Sequence, residues 1–220
     1  MPKGSIELTN ARKEEIINAC EKLYKTMNFK EITMKDISNK TSFTRSSIYN
    51  YFHTKEEIFL ALLAREYEKW ADEIGRIAEN NSSLTTDELA DKIAHSLDDR
   101  IQLLKLVSMN HFDMEENSRE ERLIEFKASY GRAKDGMSEC VRKFKPDMSE
   151  GDLQDFIYSF FPFMFGIYPY AFVNDRQKAA MAKSNVGYVY MTAYEIVYNC
   201  VRKLLSDQEG EANENNKDDN

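Results

Sequence analysis

Along this 220-residue chain a Ser or Thr followed three residues later by an acid, with an apolar run of helical period next, recurs at Thr33/Asp36, Thr54/Glu57, Thr85/Glu88, Ser118/Glu121 and Ser149/Asp152. At that spacing the hydroxyl and the carboxylate each satisfy a backbone N–H that the first helical turn leaves free. No run keeps the period-two alternation of a strand. Only 8 Gly and 4 Pro punctuate the chain, as suits helices, where both residues are costly. The expected fold is all-α. Helices are expected near 10–27, 33–40, from 44, 54–79, 85–97, 99–111, 118–144, 149–173 and 185–205.

With 42% hydrophobic and 31% charged residues the chain has the make-up of a folded domain. Cys20, Cys140 and Cys200 are scattered and form no CxxC pair, which reads as free thiols in a reducing cytoplasm. The opening MPKGSIELTNARKEE holds no apolar run, so a secretory signal is not expected. The most apolar stretch, Phe160 to Phe172, is well short of the ~20 residues that cross a bilayer. The expected location is therefore cytoplasmic, with no membrane partner.

Charge is unevenly placed. Residues 1–70 carry a net +2, whereas the rest of the chain carries −10. Residues 206–220 hold six acids and one Lys with almost nothing apolar, and read as an acidic disordered tail.

The segment TMKDISNKTSFTRSSIYNYFHTKEEIF reads as a short helix, a tight turn, a second helix and a fresh helix start. That is the helix-turn-helix pattern, in which the second helix enters the major groove of DNA. Ile48, Tyr51 and Phe52 form its inward face; Thr44, Arg45, Ser46, Ser47 and Asn50 form its outward one. The outward set contains no acid and only short side chains around one Arg, as close approach to base edges and phosphates requires. Arg45 can donate two hydrogen bonds to guanine. Thr33, Tyr49, Asn50 and Lys55 stand where phosphates could be held.

Residues 10–65 resemble the DNA-binding domain of the TetR family of bacterial transcriptional regulators. The resemblance is carried by ARKEEIINACEKLYKTMNFKEITMKDIS and TSFTRSSIYNYFHTKEEIF, and most specifically by Ile48-Tyr49-x-Tyr51-Phe52-x-x-Lys55-Glu56-x-Ile58. It implies a homodimer on double-stranded DNA with a palindromic operator. It further implies that Thr44, Arg45, Ser46 and Ser47 face bases, while Thr33, Tyr49, Asn50 and Lys55 contact phosphates. Two positions depart from the common family pattern: Ser42 and Ser46 stand where family members often have Gly. Ser42 would then sit in a left-handed turn at some cost.

The expected organisation is a helix-turn-helix domain at 1–55, a helical ligand-binding and dimerisation domain at 56–205, and the tail at 206–220. Family members bind a small molecule in the C-terminal region and dimerise through the last two long helices. Two broad apolar helices fit that scheme and put Phe156, Phe160, Tyr190, Tyr194, Tyr198 and Val201 at a dimer face. Leu104, Met109, Phe112, Phe126, Tyr130, Met137, Phe161, Phe165, Tyr168 and Tyr170 either line a pocket or fill a core. As a pocket they would suit a bulky apolar or aromatic ligand, since no cluster of Lys or Arg accompanies them. Pro162 is expected to kink its helix.

No metal, cofactor or catalysis is expected. His111, Asp113, Glu115 and Glu116, with His95 a helix earlier, match no standard zinc spacing. The chain has no GxGxxG, P-loop, HExxH or GxSxG. The resulting expectation is a repressor released from its operator by an apolar small molecule. Alternatives are a regulator controlled by a protein partner, and a small-molecule carrier or enzyme with an incidental helix-turn-helix.

Overall fold

The structure, a computed structural model, describes the backbone of residues 3–109 and 111–215 and the side chains of residues 6–109 and 114–206. Within them all regular structure is helical: α1 (Lys3–Tyr24), α2 (Met34–Ser38), α3 (Arg45–Ile48), α4 (Lys55–Asn80), α5 (Thr86–Asp98), α6 (Ile101–Val107), α7 (His111–Glu116), α8 (Glu120–Phe144), α9 (Glu150–Ala171), α10 (Asp175–Lys183) and α11 (Ala193–Asn215). The chain divides into a head unit, residues 1–66 with 110–130, and a body unit, residues 67–109 with 131–220. Both α4 and α8 contribute residues to each unit.

Capping explains most helix starts. Thr33 and Thr85 form reciprocal boxes with Asp36 and Glu88, and Ser149 caps α9. Ser118/Glu121 does not form the expected box, because the Ser118 hydroxyl donates back to Met114 O at 2.7 Å. Ahead of α8 the Arg119 N–H instead donates to Glu57 Oε1 on α4, at 3.1 Å.

Two expected helices differ in their bounds. The one at 99–111 is α6 alone, ending at Val107, and a separate helix, α7, begins at His111. The one at 185–205 starts only at Ala193, behind α10 and an irregular stretch at 184–192. The true start carries its own signal: Thr192 N–H donates to Glu195 Oε2 at 2.7 Å, and Glu195 N–H donates to Thr192 Oγ1 at 3.2 Å. α10 uses the amide form of the box, Asn174 with Gln177. Asn185 has φ 59°, a left-handed conformation that Asn tolerates better than most residues. At the far end helical backbone continues past Leu205 to Asn215, while residues 216–220 lie outside the described residues.

In the head unit, Ile16, Ile17, Cys20, Leu23 and Tyr24 of α1 are buried at helical spacing, as are Ile37, Ile48, Phe52, Ile58 and Phe59. Phe59 meets Tyr24 and Phe29 edge to face, with ring centroids 5.1 and 4.8 Å apart. In the body unit, α11 packs against α5 and α9. Trp70 is fully buried there; its Nε1–H donates to Ser96 Oγ at 3.0 Å, and Phe160 and Phe161 lie against it.

α9 runs through Pro162 and Pro169 without ending. Each proline frees the carbonyl four residues earlier, on Tyr158 and Phe165, and all four residues are exposed, so water can satisfy those oxygens. Among the described residues no single helix is long and apolar enough to cross a membrane; α9 with α10, bent by 83°, meets that test only as a pair and only by length and composition.

Candidate functional site

The head presents a short helix, α3, with a defined outer face. Thr44 is the N-cap of α3: its hydroxyl accepts from Ser47 N–H at 3.4 Å and lies 3.1 Å from Ser47 Oγ. Ile48 and Phe52 anchor the segment inward. Thr33, Thr44, Arg45, Ser46, Tyr49 and Asn50 are exposed, while Ser47 is half-buried. Arg45 folds along this face, donating through Nε and Nη2 to the Tyr49 hydroxyl at 3.2 and 2.9 Å. Thr33 caps α2 and its hydroxyl donates to Asp36 Oδ2 at 2.6 Å; that bond holds the Asp36 carboxyl below its usual range.

Two positions differ from expectation. Ser42 does not take a left-handed conformation; among described non-Gly residues only Asn185 does. Glu15 of α1 instead holds the turn, accepting from Ser42 N–H at 2.5 Å and from its hydroxyl at 3.1 Å. Lys55 turns inward rather than toward a phosphate. Its ammonium donates to Phe29 O at 2.8 Å and Ile32 O at 3.1 Å and sits 4.3 Å from the Phe29 ring centre. This tie fastens the loop before α2 to the start of α4.

A second group in the head went unmarked as a site by its sequence. Glu57 is fully buried and forms a two-pronged pair with Arg119: Nε to Oε1 at 2.7 Å, Nη2 to Oε2 at 2.9 Å. His53 N–H also donates to Glu57 Oε2, at 2.7 Å. Arg119 and Arg122 both donate to Tyr51 O, at 3.2 and 3.3 Å, and Arg122 lies over the Phe52 ring. Burial raises the Glu57 pKa, but the Arg119 bond and the two backbone donors outweigh it and bring the carboxyl to about 2. The segment that follows α3 is thereby bolted to the starts of α4 and α8.

In the body several expected ligand contacts are core. Leu104 and Met137 are fully buried and Phe161 packs on Trp70. Phe126 and Tyr130 belong to the head unit, where Phe126 is buried. Met109 is half-buried; Tyr168 is half-buried and stacks on Phe172. The side chain of Phe112 lies outside the described residues. Tyr170 lines an open groove of about 420 Å³ together with Phe163, Gly166, Tyr188, Val189 and Ile196. Phe165 is exposed on the neighbouring face of α9.

Of the expected dimer residues, Phe156, Phe160 and Val201 are inside the protomer, because α9 and α11 turn those faces to the body's own core. Tyr194 donates to Asp91 Oδ1 of α5 at 2.7 Å and stacks on Tyr198; the Asp91 bond pushes its hydroxyl pKa up to about 12. Tyr190 is exposed. What α9 shows to solvent is a different line: Tyr158, Pro162, Phe165, Pro169 and Phe172, spaced four, three, four and three residues apart. That is the repeat of a helix seam. On α11 the residues in the same register, Glu195, Asn199, Arg202 and Ser206, are polar.

A helix-turn-helix head joined to an all-helical body defines a DNA-binding transcriptional regulator. Residues 16–62 match the family described as bacterial regulatory proteins, tetR family, and residues 64–197 match the tetracyclin repressor-like C-terminal domain. The chain belongs to the TetR family. The HTH-type transcriptional regulator YfiR of Bacillus subtilis (strain 168), itself uncharacterised, is 30% identical over 81 residues, which are 37% of this chain and 40% of YfiR's length. Thermus thermophilus FadR, a TetR-family transcriptional repressor solved with lauroyl-CoA, shares the fold at a TM-score of 0.58 and 16% identity, over 88% of this chain and 93% of that one. The fatty acid degradation regulator FadR from Bacillus halodurans does so at 0.55 and 12%, over 88% and 94%.

Proposed function

We propose that this TetR-family regulator is a cytoplasmic homodimeric repressor, held on a palindromic operator by two copies of α3 and released by an apolar small molecule. The observation that carries the DNA-binding part is the outer face of α3: exposed, free of acids, short-chained and centred on Arg45. Thr44, Arg45, Ser46 and Ser47 face bases in this reading, while Thr33, Tyr49 and Asn50 meet phosphates. Lys55 supports that face from behind, through the loop it fastens. The exposed apolar line on α9 supports a two-fold contact between copies.

For control, α4 and α8 are continuous helices with residues in both units. A ligand that favours one arrangement of the body changes the arm that carries α3, provided it binds the two states unequally. A coupling of about 1–3 kcal/mol lowers DNA affinity about 5–150-fold. The fold shared with the lauroyl-CoA-bound FadR of Thermus supports a ligand in the body.

Arg45→Ala tests the assignment. It is expected to weaken operator binding by about 1–3 kcal/mol and to relax preference at one base pair per half-site. Fluorescence anisotropy on operator and random duplexes reads both effects. An equal loss on both duplexes would take Arg45 off the bases and leave it a general phosphate contact.

A further inference from the structure

The groove between α9 and the 184–192 stretch has a size, a length and a chemistry that select its occupant. Its volume, about 420 Å³, is that of a small-molecule site. Along α9 it runs from Phe163 to Tyr170, a rise of about 10 Å. This chain walls it on both sides, with Tyr188 and Val189 opposite α9 and Ile196 of α11 beside them. A partner helix, about 10–12 Å across with its side chains, needs a longer and wider channel.

Two glycines, Gly166 and Gly187, leave room between the larger residues that line it. A Cβ added to Gly166 or to Gly187 would meet nothing within 4 Å. The wall opposite α9 is pinned in place by Tyr188, whose hydroxyl donates to Tyr170 O at 3.1 Å. The rings of Tyr170 and Tyr188 stand 6.4 Å apart at 27°. No acid or base lines the groove, so a charged ligand would lose hydration without an ionic partner.

We propose that this groove binds a neutral, flat, apolar molecule of two or three rings, and that it is the site through which the regulator senses its ligand. The assignment rests on the dimeric reading above. Phe163, Gly166 and Tyr170 each follow by one residue a member of the exposed line Pro162, Phe165 and Pro169. One residue is about 100° around a helix. The occupant therefore lies at the shoulder of the two-fold contact and alters how two copies meet.

The test is a fluorescence titration of the full chain with N-phenylnaphthylamine, a neutral aromatic probe. The wild type is expected to bind it saturably at one site per chain. Gly166→Leu fills the groove and should weaken binding by about tenfold or more at an unchanged or higher unfolding midpoint, since Leu favours helix over Gly. Val189→Glu places a carboxylate at the mouth, on a side chain that is 78% exposed, and should weaken binding without risk to the fold. Absence of wild-type binding, or wild-type affinity in Val189→Glu, would overturn the site. DNA affinity is measured on the same samples with and without probe. Loss of DNA binding in the probe-free protein would count against the DNA reading alone. Probe binding that both variants weaken, with DNA affinity unchanged by probe, would overturn the sensing role and leave the pocket standing.

Discussion

Glu57→Ala is expected to destabilise the protein by about 3 kcal/mol. Removing one partner of a buried ion pair costs about 3–5 kcal/mol, and the lower figure applies because the Arg119 side chain is 33% exposed and water can reach it. Four donors lose their acceptor together: two guanidinium nitrogens and the N–H groups of His53 and Arg119. Those donors hold the segment after α3 to the starts of α4 and α8, so DNA binding should fall as well. Urea denaturation followed by circular dichroism should show a lower midpoint at unchanged slope. An unchanged midpoint would show that the pair is dispensable.

The same pair sets an acid limit. In the folded chain the Glu57 carboxyl titrates near 2, against 4.5 when unperturbed. The folded state thus holds this proton less tightly than the unfolded one, and the group's contribution is complete above about pH 4.5. It declines as pH falls through that value and is gone below about 2. In Glu57→Ala this part of the acid dependence should be missing.

If two copies meet through α9 as proposed, Phe165→Glu is expected to leave monomers at micromolar concentration where the wild type is a dimer. Phe165 is the middle of the exposed line on α9 and is 42% exposed in the protomer, so the chain should still fold. Between two copies the carboxylate would be stripped of water beside apolar rings and its own symmetry mate, at a cost of several kcal/mol. Affinity for a palindromic duplex should fall toward that of a single half-site. Sedimentation velocity reads the change, and a variant that stays dimeric would move the interface away from α9. Phe160→Glu makes the contrast: that side chain is fully buried against Trp70, and its replacement should cost the fold.

The helix-turn-helix was legible because its signals are local. A Thr cap, an inward Ile and Phe, and an acid-free outer face all lie within one short segment, and the structure forms them there. Glu57 was legible only as a cap residue. Its chief partner, Arg119, is 62 positions away, and a single sequence carries no sign of that pairing. For Lys55 both its place beside α3 and the family resemblance point outward, whereas the carbonyls that capture it belong to an irregular loop that no periodicity describes.

In the body the pattern shows which helices have wide apolar faces, but not which element each face meets. Phe156 and Phe160 are as apolar as Tyr158 and Phe165, and only packing separates the inner pair from the outer one. The start of α11 was readable from Thr192 and Glu195. Val186, Tyr188, Val189 and Tyr190 ahead of it are poor helix formers and lie outside the helix.

Selection of bound duplexes from a random DNA pool by the 220-residue chain, at physiological salt, reads whether two copies of α3 bind DNA as a pair. The expected result is enrichment of an inverted repeat whose half-sites lie about one helical turn or a multiple of it apart, as two copies of α3 in successive major grooves require. Arg45→Ala should blur one position in each half-site, while Phe165→Glu should remove the symmetry. Recovery of no preferred sequence, or of an asymmetric site unaltered by Phe165→Glu, would contradict binding as a pair.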